Sequence, residues 1–190
     1  IIQVTYDGKY GIVNGKAVHR NEFGIDRGIF WSPDNKKIAF YRMDETMVTD
    51  YPLIDNSVYP AITENIKYPM AGQTSHKVKI GIFDLSSRNT VWIEPGGTED
   101  KYLASVTWDP SGRNIYCAVL NRDQNHLELQ KFDAANGNYV KTLFEESDDK
   151  YVEPENPLFF LPKKDSEFLW LSEKDGWNHF YLYDTSGTMI

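Results

Sequence analysis

The stretch that decides the fold is "GIFWSPDNKKIAFYRMD", residues 28–44. An aromatic-rich segment leads to Pro33, a polar turn follows, and a second segment mixes apolar and polar residues in the manner of a strand. Proline ends the first strand because it has no N–H to donate to a sheet ladder, and Asp34 and Asn35 are typical turn residues. The stretch therefore predicts two antiparallel strands joined by a short turn.

The same pattern occurs twice more, in residues 105–123, "SVTWDPSGRNIYCAVLNRD", and in residues 157–176, "PLFFLPKKDSEFLWLSEKDG". Each copy has an aromatic-rich strand, a proline, a polar turn, a second strand and a charged exit. Pro33, Pro110 and Pro162 occupy the same place in the three copies. An internal repeat of this kind indicates an architecture built from similar units.

A second hairpin follows each of these units, and its turn opens with an aspartate, at Asp84, Asp133 and Asp184. Two hairpins give four strands in about 50 residues, which is typical of β-propeller blades. No helical periodicity of useful length competes with this interpretation. We therefore predict an all-β chain made of blades of four antiparallel strands. Since propellers close with about four to eight blades, the chain is expected to be an incomplete part of a larger propeller.

The repeat predicts where the blades begin and end. Residues 1–18 are expected to be the end of one blade, 19–95 a blade with a long insertion, 100–147 a blade, and 152–190 a partial blade. The insertion, residues 45–76, contains three prolines and is weakly patterned. Long insertions of this kind are usually functional loops or disordered segments.

Composition excludes several classes of function. Aromatic residues make up 14% of the chain, which favours strands over helices. The net charge of −8 argues against nucleic-acid binding, which requires clustered Lys and Arg. The apolar runs are only a few residues long, so no membrane span is predicted. The single cysteine, Cys117, lies in an apolar segment and is expected to be a buried structural thiol. The first residues show no signal peptide and read like the middle of a strand, so we expect a fragment whose start lies upstream.

Three segments together carry a family resemblance: "EFGIDRGIFWSPDNKKIAFYRMDETMV" (22–48), "YPMAGQTSHKVKIGIFDL" (68–85) and "DGWNHFYLYDTSG" (175–187). They resemble the N-terminal propeller of the dipeptidyl peptidase IV family, in particular its bacterial members of the Bacteroides and Porphyromonas type. The resemblance runs through nearly all of the chain. The motif "WSPD" alone is weak, because it recurs in many propellers.

The resemblance implies a serine exopeptidase that removes X-Pro or X-Ala dipeptides from peptides with a free N-terminus. It implies an eight-bladed propeller above an α/β-hydrolase domain whose nucleophile lies in a G-x-S-x-G elbow. This sequence contains no such elbow, so no catalytic residue is assigned and the hydrolase domain is expected elsewhere in the parent chain. The resemblance also implies a homodimer formed through residues 45–76, and a periplasmic, secreted or cell-surface location.

The family's propeller offers a pair of glutamates, just before a blade strand, that binds the substrate's ammonium group. The matching residues here are Asn21 and Glu22, immediately before Phe23. Only Glu22 is acidic, and Asn21 would add a hydrogen bond. The alternative is that Glu22 is a solvated loop residue neutralised by Arg20 and Arg27. Both interpretations stay open at the level of sequence.

Two other places suggest a metal at first sight, namely His76 in "GQTSHK" and the carboxylates of residues 145–156. A single histidine without partners is a weak signal, and the acidic segment lacks the spacing of a calcium-binding EF-hand loop. We expect loop roles for both, and neither a metal nor a cofactor is predicted.

Two alternative functions remain beside the dipeptidyl peptidase. The first is a stand-alone propeller that binds protein partners without any enzyme attached. The second is the propeller of a related peptidase of the prolyl tripeptidyl or acylaminoacyl type. A carboxylate placed to hold a free amine argues against the acylaminoacyl type, whose substrates have blocked N-termini. A downstream G-x-S-x-G elbow would exclude the stand-alone propeller.

Overall fold

The computed structural model describes residues 1–96 and 100–190 and shows an all-β chain. Within these residues fourteen strands form four antiparallel sheets, and His19–Asn21 forms a short 3₁₀ turn. The strands are β1 (Ile12–Asn14), β2 (Ile29–Trp31), β3 (Lys37–Asp44), β4 (Asp50–Asp55), β5 (Ile62–Lys67), β6 (Lys77–Asp84), β7 (Thr90–Ile93), β8 (Lys101–Trp108), β9 (Asn114–Asn121), β10 (His126–Asp133), β11 (Tyr139–Ser147), β12 (Phe159–Leu161), β13 (Lys164–Ser172) and β14 (His179–Asp184). The prediction of an all-β chain is confirmed.

The first sheet has the order β1-β3-β6-β7, and β2 also pairs with β3. Residues 1–18 were expected to belong to a preceding blade, but β1 instead pairs with β3, placing Ile12 opposite Asp44. β1 can pair with β3 because β3 is longer than β2. β3 has eight residues and β2 only three, so β2 covers one half of the β3 edge and β1 covers the other half.

The second sheet has the order β11-β10-β9-β8, and the third has the order β12-β13-β14. In each sheet the first strand along the chain, β8 or β12, ends at a proline-containing turn, as the repeat predicted. Two side-chain hydrogen bonds connect the first sheet to the second. The Tyr41 hydroxyl donates to the Leu103 carbonyl at 2.7 Å, and the Trp108 indole donates to the Phe30 carbonyl at 3.0 Å. Cys117 is fully buried in this core, which confirms its predicted structural role.

The insertion contains a two-stranded hairpin, formed by β4 and β5, which we call the arm hairpin. Six residue pairs connect its strands, from Asp50–Lys67 to Asp55–Ile62. The expectation of a loop or a disordered segment is therefore wrong for these residues. The strands escaped prediction because neither of them buries a face, so their residues do not alternate between apolar and polar.

Candidate functional site

The segment that carries the predicted site residues is a left-handed turn, residues 19–24. His19, Arg20 and Asn21 have φ angles of 50°, 56° and 66°. The Glu22 amide donates to the His19 carbonyl at 3.2 Å, which closes the turn. A left-handed backbone costs roughly 1–2 kcal/mol for each residue with a side chain, so surrounding contacts must hold this turn in place.

Packing against the second sheet and against the segment between β11 and β12 provides one set of these contacts. The Phe23 ring is buried with its centre 4.8 Å from that of Tyr102. Gly24, with φ at +66°, lies so close to the Glu155 carbonyl that a Cβ atom would sit 1.8 Å from its oxygen. Only glycine fits this position, both for its backbone angle and for this contact.

The His19 side chain provides a second anchor. It is 5% exposed, and its Nδ1 lies 2.9 Å from Nε2 of His76. The Leu103 amide donates to its other ring nitrogen, Nε2, at 3.3 Å. Burial lowers the pKa of His19 to about 3, and it lowers the pKa of His76 as well. The expectation of an isolated His76 is therefore wrong, since the fold brings a second histidine to it from 57 residues away.

The two arginines expected to neutralise Glu22 are engaged with other groups. Arg20 donates to the Lys67 carbonyl at 2.7 Å, and its guanidinium lies 4.1 Å from the centre of the Tyr68 ring. Arg27 makes two hydrogen bonds to the Asp26 carboxylate, at 2.8 and 3.0 Å, which hold the pKa of Asp26 below its usual range.

Asn21 and Glu22 are exposed at the rim of an open cleft of about 460 Å³. Within residues 1–96 and 100–190, no group is hydrogen-bonded or ion-paired to the Glu22 carboxylate. The other polar residues that line the cleft are Gln124, Glu153, Glu155 and Asn156. Among the described residues, the lining therefore includes three glutamates and no lysine or arginine, a composition that favours a cation.

Part of this lining was not predicted from the sequence. Residues 145–156 were interpreted as a charged linker, yet the fold places Glu153 and Glu155 at the same cleft as Glu22. The only local signal was the density of carboxylates, which does not distinguish a solvated loop from a cleft wall. In the described part of the chain, no group of three or more His, Cys, Asp or Glu residues is arranged to hold a metal ion. No helix in that part is long and apolar enough to cross a membrane.

Comparison with known proteins gives the family. Residues 1–190 match the family model described as the dipeptidyl peptidase IV (DPP IV) N-terminal region. The chain is 45% identical, with a TM-score of 0.91, to a putative dipeptidyl aminopeptidase IV from Bacteroides ovatus, over 97% of this chain and 26% of that one. It is 29% identical, with a TM-score of 0.89, to Porphyromonas gingivalis dipeptidyl peptidase 4, over 100% of this chain and 27% of that one.

Curated relatives agree. The chain is 31% identical to a probable dipeptidyl-aminopeptidase B from Coccidioides posadasii, over 84% of this chain and 20% of the relative. The chain thus spans about a quarter of the solved structures and a fifth of this relative. Its antiparallel sheets match the propellers of these structures, which confirms the predicted fold of an incomplete β-propeller. From its full-length match and these relatives, the chain belongs to the N-terminal region family of dipeptidyl peptidase IV.

Proposed function

We propose that this chain is the propeller portion of a serine exopeptidase that removes X-Pro or X-Ala dipeptides from the N-termini of peptides. In this proposal Glu22 binds the substrate's ammonium group, Asn21 adds a hydrogen bond, and a hydrolase domain of the same parent chain supplies the catalytic residues. Family membership and the dipeptidyl peptidase names of the relatives support the reaction class. The absence of a G-x-S-x-G elbow agrees with a portion that binds substrate and does not itself cleave.

The observation that carries the proposal is the Glu22 carboxylate, to which no group in residues 1–96 and 100–190 is hydrogen-bonded or ion-paired. It stands at a cleft with two further carboxylates, while Arg20 and Arg27 are bonded to other groups. A carboxylate in a partly desolvated cleft binds an ammonium by a charge-assisted hydrogen bond. A peptide that continued beyond this point, or whose amine was acylated, would leave the carboxylate without its partner. That loss selects for a free N-terminus at a fixed distance.

Glu22→Gln in the full-length parent enzyme tests the proposal, because it keeps the size of the side chain and removes its charge. A hydrogen bond to a charged group contributes about 1.5–3 kcal/mol, so kcat/KM for Gly-Pro-nitroanilide should fall about ten- to a hundredfold. The gap between this substrate and its N-acetylated form should narrow. Glu94→Gln is the matched control, since Glu94 is an exposed glutamate outside the cleft lining. Wild-type kinetics in Glu22→Gln would contradict the proposal.

A second part of the proposal concerns the arm hairpin, to which we assign a contact between two subunits of the parent enzyme. Its strands and tip expose large apolar side chains, among them Ile54 at 66% and Tyr59. Exposed apolar surface on a hairpin without buried residues favours a protein partner over solvent. Deletion of residues 52–68 from the parent enzyme should give monomers in light scattering, and an unchanged dimer would contradict this role.

The proposed location in the periplasm or at the cell surface rests on the family resemblance alone. Cell fractionation with an antibody against the chain tests it. Recovery of the parent protein in the cytoplasmic fraction would contradict it.

A further inference from the structure

The hydrogen bonds around His19 fix the protonation of two histidine rings. The Leu103 amide can only donate, so Nε2 of His19 must accept and carries no proton. The single proton of the neutral His19 ring is therefore on Nδ1, which donates to Nε2 of His76. His76 must in turn be neutral with its proton on Nδ1, because a proton on its Nε2 would oppose the one on His19. The three groups form a directed chain that runs from Leu103 through His19 to His76.

The middle member of this chain of hydrogen bonds, His19, is also bonded through its backbone to Glu22. His19 is the first residue of the left-handed turn, and its carbonyl accepts the hydrogen bond from the Glu22 amide. Its ring is enclosed, with the edge of Tyr102 at 5.0 Å between ring centres. Tyr102 also contacts Phe23, the residue that follows Glu22. A displacement of the His19 ring would therefore move the backbone on both sides of Glu22.

The two hydrogen-bond partners of the His19 ring come from different elements of the fold. Leu103 belongs to β8 of the second sheet, and His76 lies between the arm hairpin and β6. The turn is thus bonded to the core on one side and to the return of the insertion on the other. The bond from Arg20 to the Lys67 carbonyl adds a second connection to the arm hairpin.

We propose that His19 is a positioning residue for substrate binding, whose two ring hydrogen bonds hold the left-handed turn so that the Glu22 carboxylate faces the cleft. The inference rests on the proposed function of Glu22. His19 itself contacts no substrate, since it is buried beneath the turn. Its contribution is selectivity: it keeps the carboxylate where only a free N-terminus of the right length can reach it.

Substitutions at His76 test this without disturbing the buried ring. His76→Gln keeps an oxygen that can accept from Nδ1 of His19, whereas His76→Leu has a similar size and no acceptor. In the full-length enzyme, His76→Leu should raise KM for Gly-Pro-nitroanilide about tenfold, the size of effect that a lost buried hydrogen bond produces. The value of kcat should change little, because the ammonium is bound equally in the ground state and the transition state. His76→Gln should retain most of the wild-type affinity.

The double variant with Glu22→Gln separates positioning from a general structural role. If His19 and His76 act through Glu22, then His76→Leu should have no further effect on KM once Glu22 is glutamine. It should also leave the N-acetylated substrate unaffected. An equal loss for free and blocked substrates, or a full loss in the Glu22→Gln background, would show a structural role only and overturn the inference.

The outcomes also distinguish this inference from the proposed function. A raised KM in Glu22→Gln together with wild-type KM in His76→Leu would overturn the positioning role and leave the function of Glu22 intact. A wild-type KM in Glu22→Gln would contradict the function of Glu22 and with it this inference. Far-UV circular dichroism shows whether each variant is folded, and His19→Phe, which keeps an aromatic ring against Tyr102, provides the same comparison from the other side of the bond.

Discussion

The second sheet and the arm hairpin both consist of antiparallel strands with continuous pairing, yet they differ in what covers them. In the second sheet β10 pairs with β9 at seven positions, and six of the eight β9 residues are buried. In the arm hairpin β4 pairs with β5 at six positions, and neither strand has a buried residue. A backbone hydrogen bond contributes little net free energy, whereas burial of apolar surface contributes about 25 cal/mol per Å². Sensitivity to mutation should therefore follow burial rather than pairing.

The largest expected effect is in the second sheet. Phe132 lies in β10 and is fully buried, so Phe132→Ala leaves a cavity and should lower the free energy of unfolding by about 3–5 kcal/mol. Denaturant unfolding of the propeller region, followed by tryptophan fluorescence, measures it. Leu53→Ala in the arm hairpin is the counterpart at an exposed site and should change the same quantity by less than about 0.5 kcal/mol. Equal losses at both sites would break the comparison.

Two glycines extend the comparison to backbone strain. Gly24 and Gly72 both have positive φ angles, +66° and +76°, but a Cβ atom on Gly24 would overlap the Glu155 carbonyl, whereas one on Gly72 would meet nothing within 4 Å. Gly72→Ala should cost only the backbone term, about 1 kcal/mol. Gly24→Ala should cost about 2–4 kcal/mol, because the clash is added. It should also weaken binding of substrates with a free amine, since the turn must move.

A similar cost in both variants, measured by thermal unfolding, would show that the turn yields as easily as the exposed end of the insertion. The positioning of Glu22 by a rigid turn would then be wrong. A higher cost in Gly24→Ala, together with a raised KM for Gly-Pro-nitroanilide, would show that one contact controls both stability and binding.

The buried histidine pair makes the turn sensitive to acid, in contrast to the exposed arm hairpin. The pKa of His19 is lowered by burial to about 3, against about 6.5 in the unfolded chain. The unfolded state therefore binds more protons below pH 6.5, so the stabilisation is complete above that pH and is lost as the pH falls. Between pH 7 and pH 5 the loss from His19 should be about 2 kcal/mol.

Other charged and titratable groups near His19 and His76 also affect this pH dependence. Besides burial, His76 and Arg122, which donates to the Tyr102 hydroxyl, lower the pKa of His19, and Arg20 and Arg122 lower the pKa of His76. Glu45 lines a cavity together with His19 and His76, and burial raises the pKa of Glu45, which gives it the opposite pH dependence. Both proteins contain Glu45, so its contribution cancels when their pH profiles are compared. Between pH 7 and pH 5 the free energy of unfolding should therefore fall by about 2 kcal/mol more in the wild type than in His19→Phe. Parallel pH profiles would mean that the ring is solvated.

Local sequence patterns predicted the packed part of the fold. The proline-containing turns after Trp31 and Trp108 placed the strand pairs β2–β3 and β8–β9, because proline and alternation act on residues near one another in the chain. The arm strands were missed because they bury no face. The position of β1 was missed because it depends on the relative lengths of β2 and β3.

At the candidate site, too, local sequence did not predict the features that depend on distant residues. The assignment of Glu22 and Asn21 comes from the resemblance, whereas the left-handed conformation was not predicted, because positive φ angles are uncommon for residues other than glycine and residues 19–21 include no glycine. The partners that hold the turn, Leu103 and His76, are distant in sequence and meet only in the folded chain. Contacts of this kind leave no local pattern to interpret.

The smallest effect on stability is expected at the tip of the arm hairpin, where it separates folding from association. Ile54 is 66% exposed, so Ile54→Asp should change the free energy of unfolding by less than about 0.5 kcal/mol. If the arm hairpin is the contact between subunits, the same substitution places a charge against an apolar surface and should shift the parent enzyme toward monomers in sedimentation velocity.

Val140→Asp is the control, because Val140 is an exposed apolar residue of β11 outside the insertion. It should leave association unchanged. If Ile54→Asp loses the dimer and Val140→Asp keeps it, the arm hairpin contributes to association although it contributes little to stability. An intact dimer in both variants would place the subunit contact elsewhere in the parent chain.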